Sequence, residues 1–256
     1  MDASLFNSKT KLVSYRSEVW RVVESQEDAA TLGIVDSLEE QDVLEVMLDQ
    51  VKPAYRQGTE EMHYLLKTAF RYPPLKYGSR FGTQTMPSYF YASEEFETAL
   101  CETAYYRFLF LEHMQSAFQP PIRSEYSLFK VTVGSDFCLD LSLPKFKNEY
   151  AYLTDPQSYS YTHKVGQWAA NRKPPAEVIR FYSARRANAK NLAIAEPKTI
   201  RSKQPRELRT WLCLTKCSSE KPLASSVSFR SRESAEVHQF KRADFCDQNG
   251  QFLIVA

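Results

Sequence analysis

The sequence predicts an α+β fold with a mixed or antiparallel sheet at its core. Three observations lead there. Short apolar runs rich in β-branched and aromatic residues recur from residue 18 to residue 255. Helical periodicities interleave with them, but without strict βαβ alternation. After Pro205, four short apolar segments follow one another with no helical pattern between them, as antiparallel strands do.

The elements follow in order. Residues 18–23 (EVWRVV) read as a strand. Ser37 and Glu40 have capping-box spacing, and Leu44, Met47, Leu48 and Val51 then share one helical face. Pro53 ends that helix. Met62, Leu65, Leu66 and Ala69 form a second stripe. Together they predict an acidic αα-hairpin over 37–70, within a helical segment of about 24–70, its apolar stripes facing the core. Residues 71–82 are turn-rich, and Tyr89-Phe-Tyr91 is a strand. Ser93 is placed to cap a helix running to about His113, with Glu94, Glu95 and Glu97 at its positive end. Strands are expected at Leu128–Val133, Phe137–Leu141, Val178–Tyr182 and Leu192–Ala195, and a helix at Thr162–Asn171. Beyond Pro205 the strands are Trp211–Leu214, Val227–Phe229, Val237–Phe240 and Phe252–Val255.

Charge is uneven. Ser17–Glu61 holds twelve acidic and three basic residues, a net of −9; Lys164–Arg242 holds eighteen basic and six acidic, a net of +12. Two solvated faces account for this, as does a cationic surface attracting a phosphate-bearing ligand. Five cysteines at irregular spacing do not form a disulfide framework, and Cys213, Cys217, His238 and Cys246 lack the paired short spacing of a zinc site. No metal is expected. The first twenty residues hold no apolar run of signal-peptide length, and nothing approaches the roughly 20 apolar residues of a membrane span. The expectation is a cytoplasmic protein without membrane contact.

Gly78-Ser-Arg-Phe-Gly82 places two of the seven glycines around Arg80. Glycine lets a ligand approach the backbone, and a guanidinium held in such a turn suits bidentate recognition of phosphate. Tyr91 follows eleven residues later at a strand end, where a phenol stacks on a flat ring or donates a hydrogen bond. Glu102 follows after eleven more. Ala99, Tyr105 and Tyr106 lie one helical turn away, so this carboxylate sits on an apolar face. It either stabilises a developing cation or forms a salt bridge, with Arg107 and Lys76 as candidate partners. Ser183 ends the strand VIRFY and is placed to touch a sugar or phosphate. The histidines at 63, 113, 163 and 238 form no triad pattern, and Walker and dinucleotide-binding fingerprints are absent.

In order, these pieces resemble the RES-domain toxins of toxin–antitoxin systems. The matching segments are Val19-Trp-Arg21, Gly78-Ser-Arg-Phe-Gly82, Ser88-Tyr-Phe-Tyr-Ala-Ser93, Glu97-Thr-Ala-Leu-Cys-Glu102 and Phe181-Tyr-Ser183, covering about 20–200. The resemblance implies a fold like that of ADP-ribosyltransferases and degradation of NAD⁺ by hydrolysis or phosphorolysis. It implies that Arg21 and Arg80 hold phosphates and riboses, that Tyr91 lines the nicotinamide side with Tyr89 as its rival, and that Glu102 stabilises positive charge on the ribose. Ser183 would help position substrate. NAD⁺ is then substrate, with inorganic phosphate as a possible co-substrate and no cofactor. The implied partner is a helix-turn-helix Xre-type antitoxin, nucleic acid being met only through it. On this reading 1–205 is the NAD-binding catalytic domain and 206–256 a β-rich extension packed on it. Two rivals remain from the sequence: an ADP-ribosyltransferase modifying protein or nucleic acid, and a non-enzymatic nucleic-acid binder using the basic half.

Overall fold

Alternation in VSYRSEVWRVVE produces a twelve-residue strand, β1 (Val13–Glu24). The structure, a computed structural model, describes residues 5–7, 9–25, 35–74, 78–114, 120–218 and 222–255. After β1 come α1 (Leu38–Val51), α2 (Tyr64–Lys67), β2 (Phe90–Ser93), α3 (Phe96–Glu112) and β3 (Ile122–Asp140). Then follow α4 (Tyr150–Leu153), α5 (Ser160–Asn171), β4 (Val178–Tyr182), β5 (Lys190–Ile194), β6 (Arg206–Lys216), β7 (Ser226–Ser231) and β8 (Val237–Lys241). The α+β class is observed. The eight strands form one mixed sheet in the order β1-β2-β5-β4-β3-β6-β7-β8, and β1 also pairs with β3. Only β3 and β4 run parallel among these pairings. No helix among the described residues is long and apolar enough to cross a membrane.

The long β3 organises the sheet. Residues 126–138 of it run antiparallel to the whole of β1, its first half also pairs with β6, and its end runs beside β4. The pairings β1–β2–β5–β4–β3–β1 therefore close a circuit, and β6, β7 and β8 extend from β3. Three apolar clusters cover the faces. One joins α3 to β6, β7 and Trp20. A second gathers Val19, Leu66, Phe90, Phe129, Val178 and Leu192. The third packs Phe81, Phe146, Val165, Ile179 and Phe181 beneath α5. β1 shows how one strand serves two cores: adjacent side chains point to opposite faces, so Val19 enters one cluster and Trp20 another.

Several expectations need correction. The two strands expected at 128–133 and 137–141 are one, because Gly134 and Ser135 stay paired with Arg16 and Tyr15 of β1. The predicted helical hairpin keeps only its first arm. Its second arm is one α turn continued by a 3-10 turn, with Leu65 and Leu66 buried. α1 is capped by Ser37, whose hydroxyl accepts from the Glu40 amide, yet it buries no residue: Val46, Met47 and Val51 are exposed. Periodicity identifies an apolar face, but not what covers it. Ser93 belongs to β2 and donates to Asn191, so α3 begins after an extended Glu95 with no side-chain cap. Residues 252–255 form a single bridge, Phe252 to Cys246, in place of a strand. Tyr105 holds that segment on α3, stacking on Phe252 and donating to the Leu253 carbonyl.

Candidate active site

The Gly78–Gly82 turn is shaped by its glycines. Gly78 has φ +73°, and a Cβ there would stand 2.4 Å from the Gly82 carbonyl oxygen. The Ser79 amide donates to that oxygen at 2.8 Å. Tyr91, from β2, fastens the turn: its hydroxyl accepts from the Phe81 amide (3.1 Å) and donates to Ser79 Oγ (3.0 Å). Burial holds the Tyr91 phenol above its ordinary range, keeping it a neutral donor and acceptor. From α5, His163 Nε2 lies 2.8 Å from the Ser79 carbonyl, and Gly166 allows the helix to lie against the Phe81 backbone.

This anchoring aims Arg80. The side chain is buried, Nη1 donates to the Leu153 and Asp155 carbonyls, and the guanidinium lies 5.0 Å from the Tyr159 ring. Arg21 arrives from β1. Its Nη1 donates to the Tyr91 carbonyl at 2.6 Å, the guanidinium covers Phe90, and Nε is buried with no hydrogen-bond partner among the described residues. Burial pushes Arg21 down to about 10, which leaves it cationic at neutral pH. Arg185 stacks 3.4 Å from the Tyr105 ring centre and donates to the Pro156 carbonyl. None of the three pairs with a carboxylate among the described residues.

Glu102 faces them from α3. Its Oε1 accepts from Ser183 Oγ (2.7 Å) and Asn191 Nδ2 (2.6 Å). Arg107, a candidate salt-bridge partner, points instead to Glu24 at 4.0 Å, and Lys76 lies outside the described residues. One cavity of about 330 Å³ is lined by Arg21, Arg80, Tyr89, Tyr91, Glu102, Tyr106, Tyr159, Arg185 and Asn191. Four of the five residues singled out from sequence thus meet at one surface. The fifth, Ser183, is buried, does not line the cavity and touches Glu102. Both Tyr89 and Tyr91 reach the cavity.

A larger groove, about 780 Å³, runs over β3, β6 and β7 past Arg123, Leu212, Leu214 and Arg230. It contains none of these residues and is lined instead by Glu24, Arg123, Glu125 and Arg230 among Leu212, Leu214 and Val237. The smaller cavity is therefore the candidate site. Sequence reasoning missed Arg185, Asn191, Tyr106 and Tyr159. Arg185 was within reach, two residues after Ser183. Asn191 becomes visible only through its register with Ser93.

The RES domain family matches residues 53–214. The chain belongs to the RES-domain family. The matched span includes Arg80, Tyr91, Glu102 and Ser183; it begins after β1, so Arg21 lies outside it. Among solved structures, the M. tuberculosis MbcT–MbcA toxin–antitoxin complex is similar at 13% identity, over 77% of this chain and 85% of that one, with a TM-score of 0.45. No curated protein matches the chain. In this RES domain the cavity lies where α3, the Arg80 turn and the ends of β1 and β5 meet.

Proposed function

We propose that this RES domain cleaves the nicotinamide–ribose bond of NAD⁺. The observation that carries the reading is charge: three arginines without carboxylate partners among the described residues and one carboxylate line a single cavity. A dinucleotide needs that balance. Its two phosphates call for cationic donors, and the ribose, as its bond to nicotinamide breaks, needs one anion beside it.

The chemistry makes modest demands. Nicotinamide leaves a cationic ring as a neutral molecule, so no strong general acid is required. The site must orient the ribose and stabilise an oxocarbenium-like state. Glu102 Oε2 is the oxygen available for that, since Oε1 holds Ser183 and Asn191. Arg21, Arg80 and Arg185 would hold the phosphates, and the Tyr106 and Tyr159 rings offer flat surfaces for a base. Water or inorganic phosphate would then attack the ribose carbon. Depletion of NAD⁺ would make the chain a toxin, and a helix-turn-helix antitoxin covering the cavity would be its partner.

Purified protein incubated with NAD⁺ should release nicotinamide. Added phosphate should yield a phosphorylated ADP-ribose if phosphate is the acceptor, and free ADP-ribose if water is. Glu102→Gln keeps an acceptor for Ser183 and Asn191 while removing the charge; it should lower the rate by about 10²–10³-fold. Arg80→Ala should lower it comparably. Unchanged release in both variants would show that the chemistry lies elsewhere.

A further inference from the structure

We propose that Asn191 is a positioning residue for Glu102, locking one carboxylate oxygen so that the other faces the substrate; this rests on the NAD⁺ reading of the cavity. The case begins with the register of β2 and β5, which sets Ser93 opposite Asn191. Both are buried. Ser93 Oγ donates to Asn191 Oδ1 at 2.7 Å, and Asn191 Nδ2 donates to Glu102 Oε1 at 2.6 Å. Turning the amide over would aim Oδ1 at a carboxylate oxygen, two acceptors in contact. The orientation is therefore determined by its neighbours.

Ser183 is constrained in the same direction. Its Oγ accepts from the Arg185 and Arg186 amides, each at 3.0 Å, which leaves its single hydrogen for Glu102 Oε1. Two donors, one on β5 and one just beyond β4, thus converge on the same oxygen. A single hydrogen bond would let the carboxylate rotate about it, whereas two from different directions hold its plane. Oε2 is left for the cavity. A reacting group displaced by about 1 Å loses roughly 10²-fold in rate, so the second donor carries kinetic weight.

The test uses Asn191→Leu, which removes the donor at similar volume, and Asn191→Asp, which replaces it with a second carboxyl. Lys190→Ala, next door on β5, is the control. Nicotinamide release, melting temperature and crystal structures of each variant are measured. Asn191→Leu should lose about 10²-fold in kcat with KM changed less than about threefold, and its Glu102 carboxylate should turn about the hydrogen bond that Ser183 still donates. In Asn191→Asp two carboxyl groups must share one proton. Its activity relative to the parent should therefore rise as pH falls toward 5, a response that lost packing would not produce. Lys190→Ala should match the parent.

An Asn191→Leu protein with kcat within twofold of the parent overturns the proposal, as does one whose Glu102 has not moved. The NAD⁺ reading fails separately. A parent protein that releases no nicotinamide sinks it, and the Glu102 conformation in Asn191→Leu then still decides the positioning role.

Discussion

Gly166→Ala is the most diagnostic substitution outside the cavity. Helix propensity alone says it stabilises α5 by about 1 kcal/mol. The structure says the opposite. A Cβ on Gly166 would lie 1.9 Å from the Phe81 carbonyl oxygen and 2.8 Å from its carbon, whereas ordinary contact begins at 3.4 Å. Helix and turn must separate by about 1.5 Å, or the turn must be remodelled. Both partners are backbone, so no side chain can swing aside. Overpacking of this kind costs about 1–3 kcal/mol, which offsets the propensity gain and leaves a net loss of up to about 2 kcal/mol. In a chain of this size the full loss lowers the melting temperature by roughly 4–8 °C. The larger effect is on catalysis. Phe81 is the neighbour of Arg80, and its amide is held by Tyr91. Moving it by more than 1 Å should cost about 10²-fold in nicotinamide release. Gln167→Ala, at an exposed site on the same helix, should leave both quantities unchanged. A Gly166→Ala protein that melts higher than the parent and keeps its activity would refute the claim that α5 holds the Arg80 turn through this contact.

Other outcomes follow from the same geometry. Tyr91→Phe keeps the ring but leaves the Phe81 amide unpaired; it should cost about 1–3 kcal/mol in thermal unfolding and slow nicotinamide release. Arg180→Met should act on stability alone. Arg180 joins Glu94 and Asp140 in a partly buried network that shares no residue with the cavity, and breaking such a network costs up to about 3 kcal/mol, while activity below the melting range stays unchanged. Burial pushes Cys213 up to about 11 and Cys101 and Cys138 up to about 12, so a thiol reagent at pH 8 should reach the half-buried Cys217 first and these three only on unfolding. Their shifts also set an alkaline limit. The unfolded chain releases those protons near pH 9, the folded one only at pH 11–12, so their stabilisation is complete below pH 9 and lost as pH rises through that window. Denaturant midpoints measured from pH 8 to 11 should fall accordingly.

The residues most readable from sequence were those whose local chemistry is unusual. Two glycines around Arg80 announced a turn, and the turn exists because Gly78 needs positive φ and close approach to Gly82. Glu102 stood out as a carboxylate on an apolar helical face, and it does meet polar partners there. Ser183 was noticed for its place at a strand end, but its hydroxyl is spent on Glu102 and two backbone amides. α1 shows the opposite failure. Its stripe is as regular as that of a core helix, yet the described residues leave it uncovered.

Local pattern determined what could be read without a fold: the class, most element positions, and the side chains whose chemistry is out of place in their segment. Such signals depend on neighbours within a turn or two of chain, which a sequence displays directly. The tertiary structure decided the rest. It chose which of several acceptors each donor meets, placed Asn191 beside Glu102 through the register of two strands 98 residues apart at Ser93 and Asn191, and left Arg21, Arg80 and Arg185 without carboxylate partners among the described residues. Those outcomes depend on contacts between segments distant in the chain, and strand register and helix docking set them together.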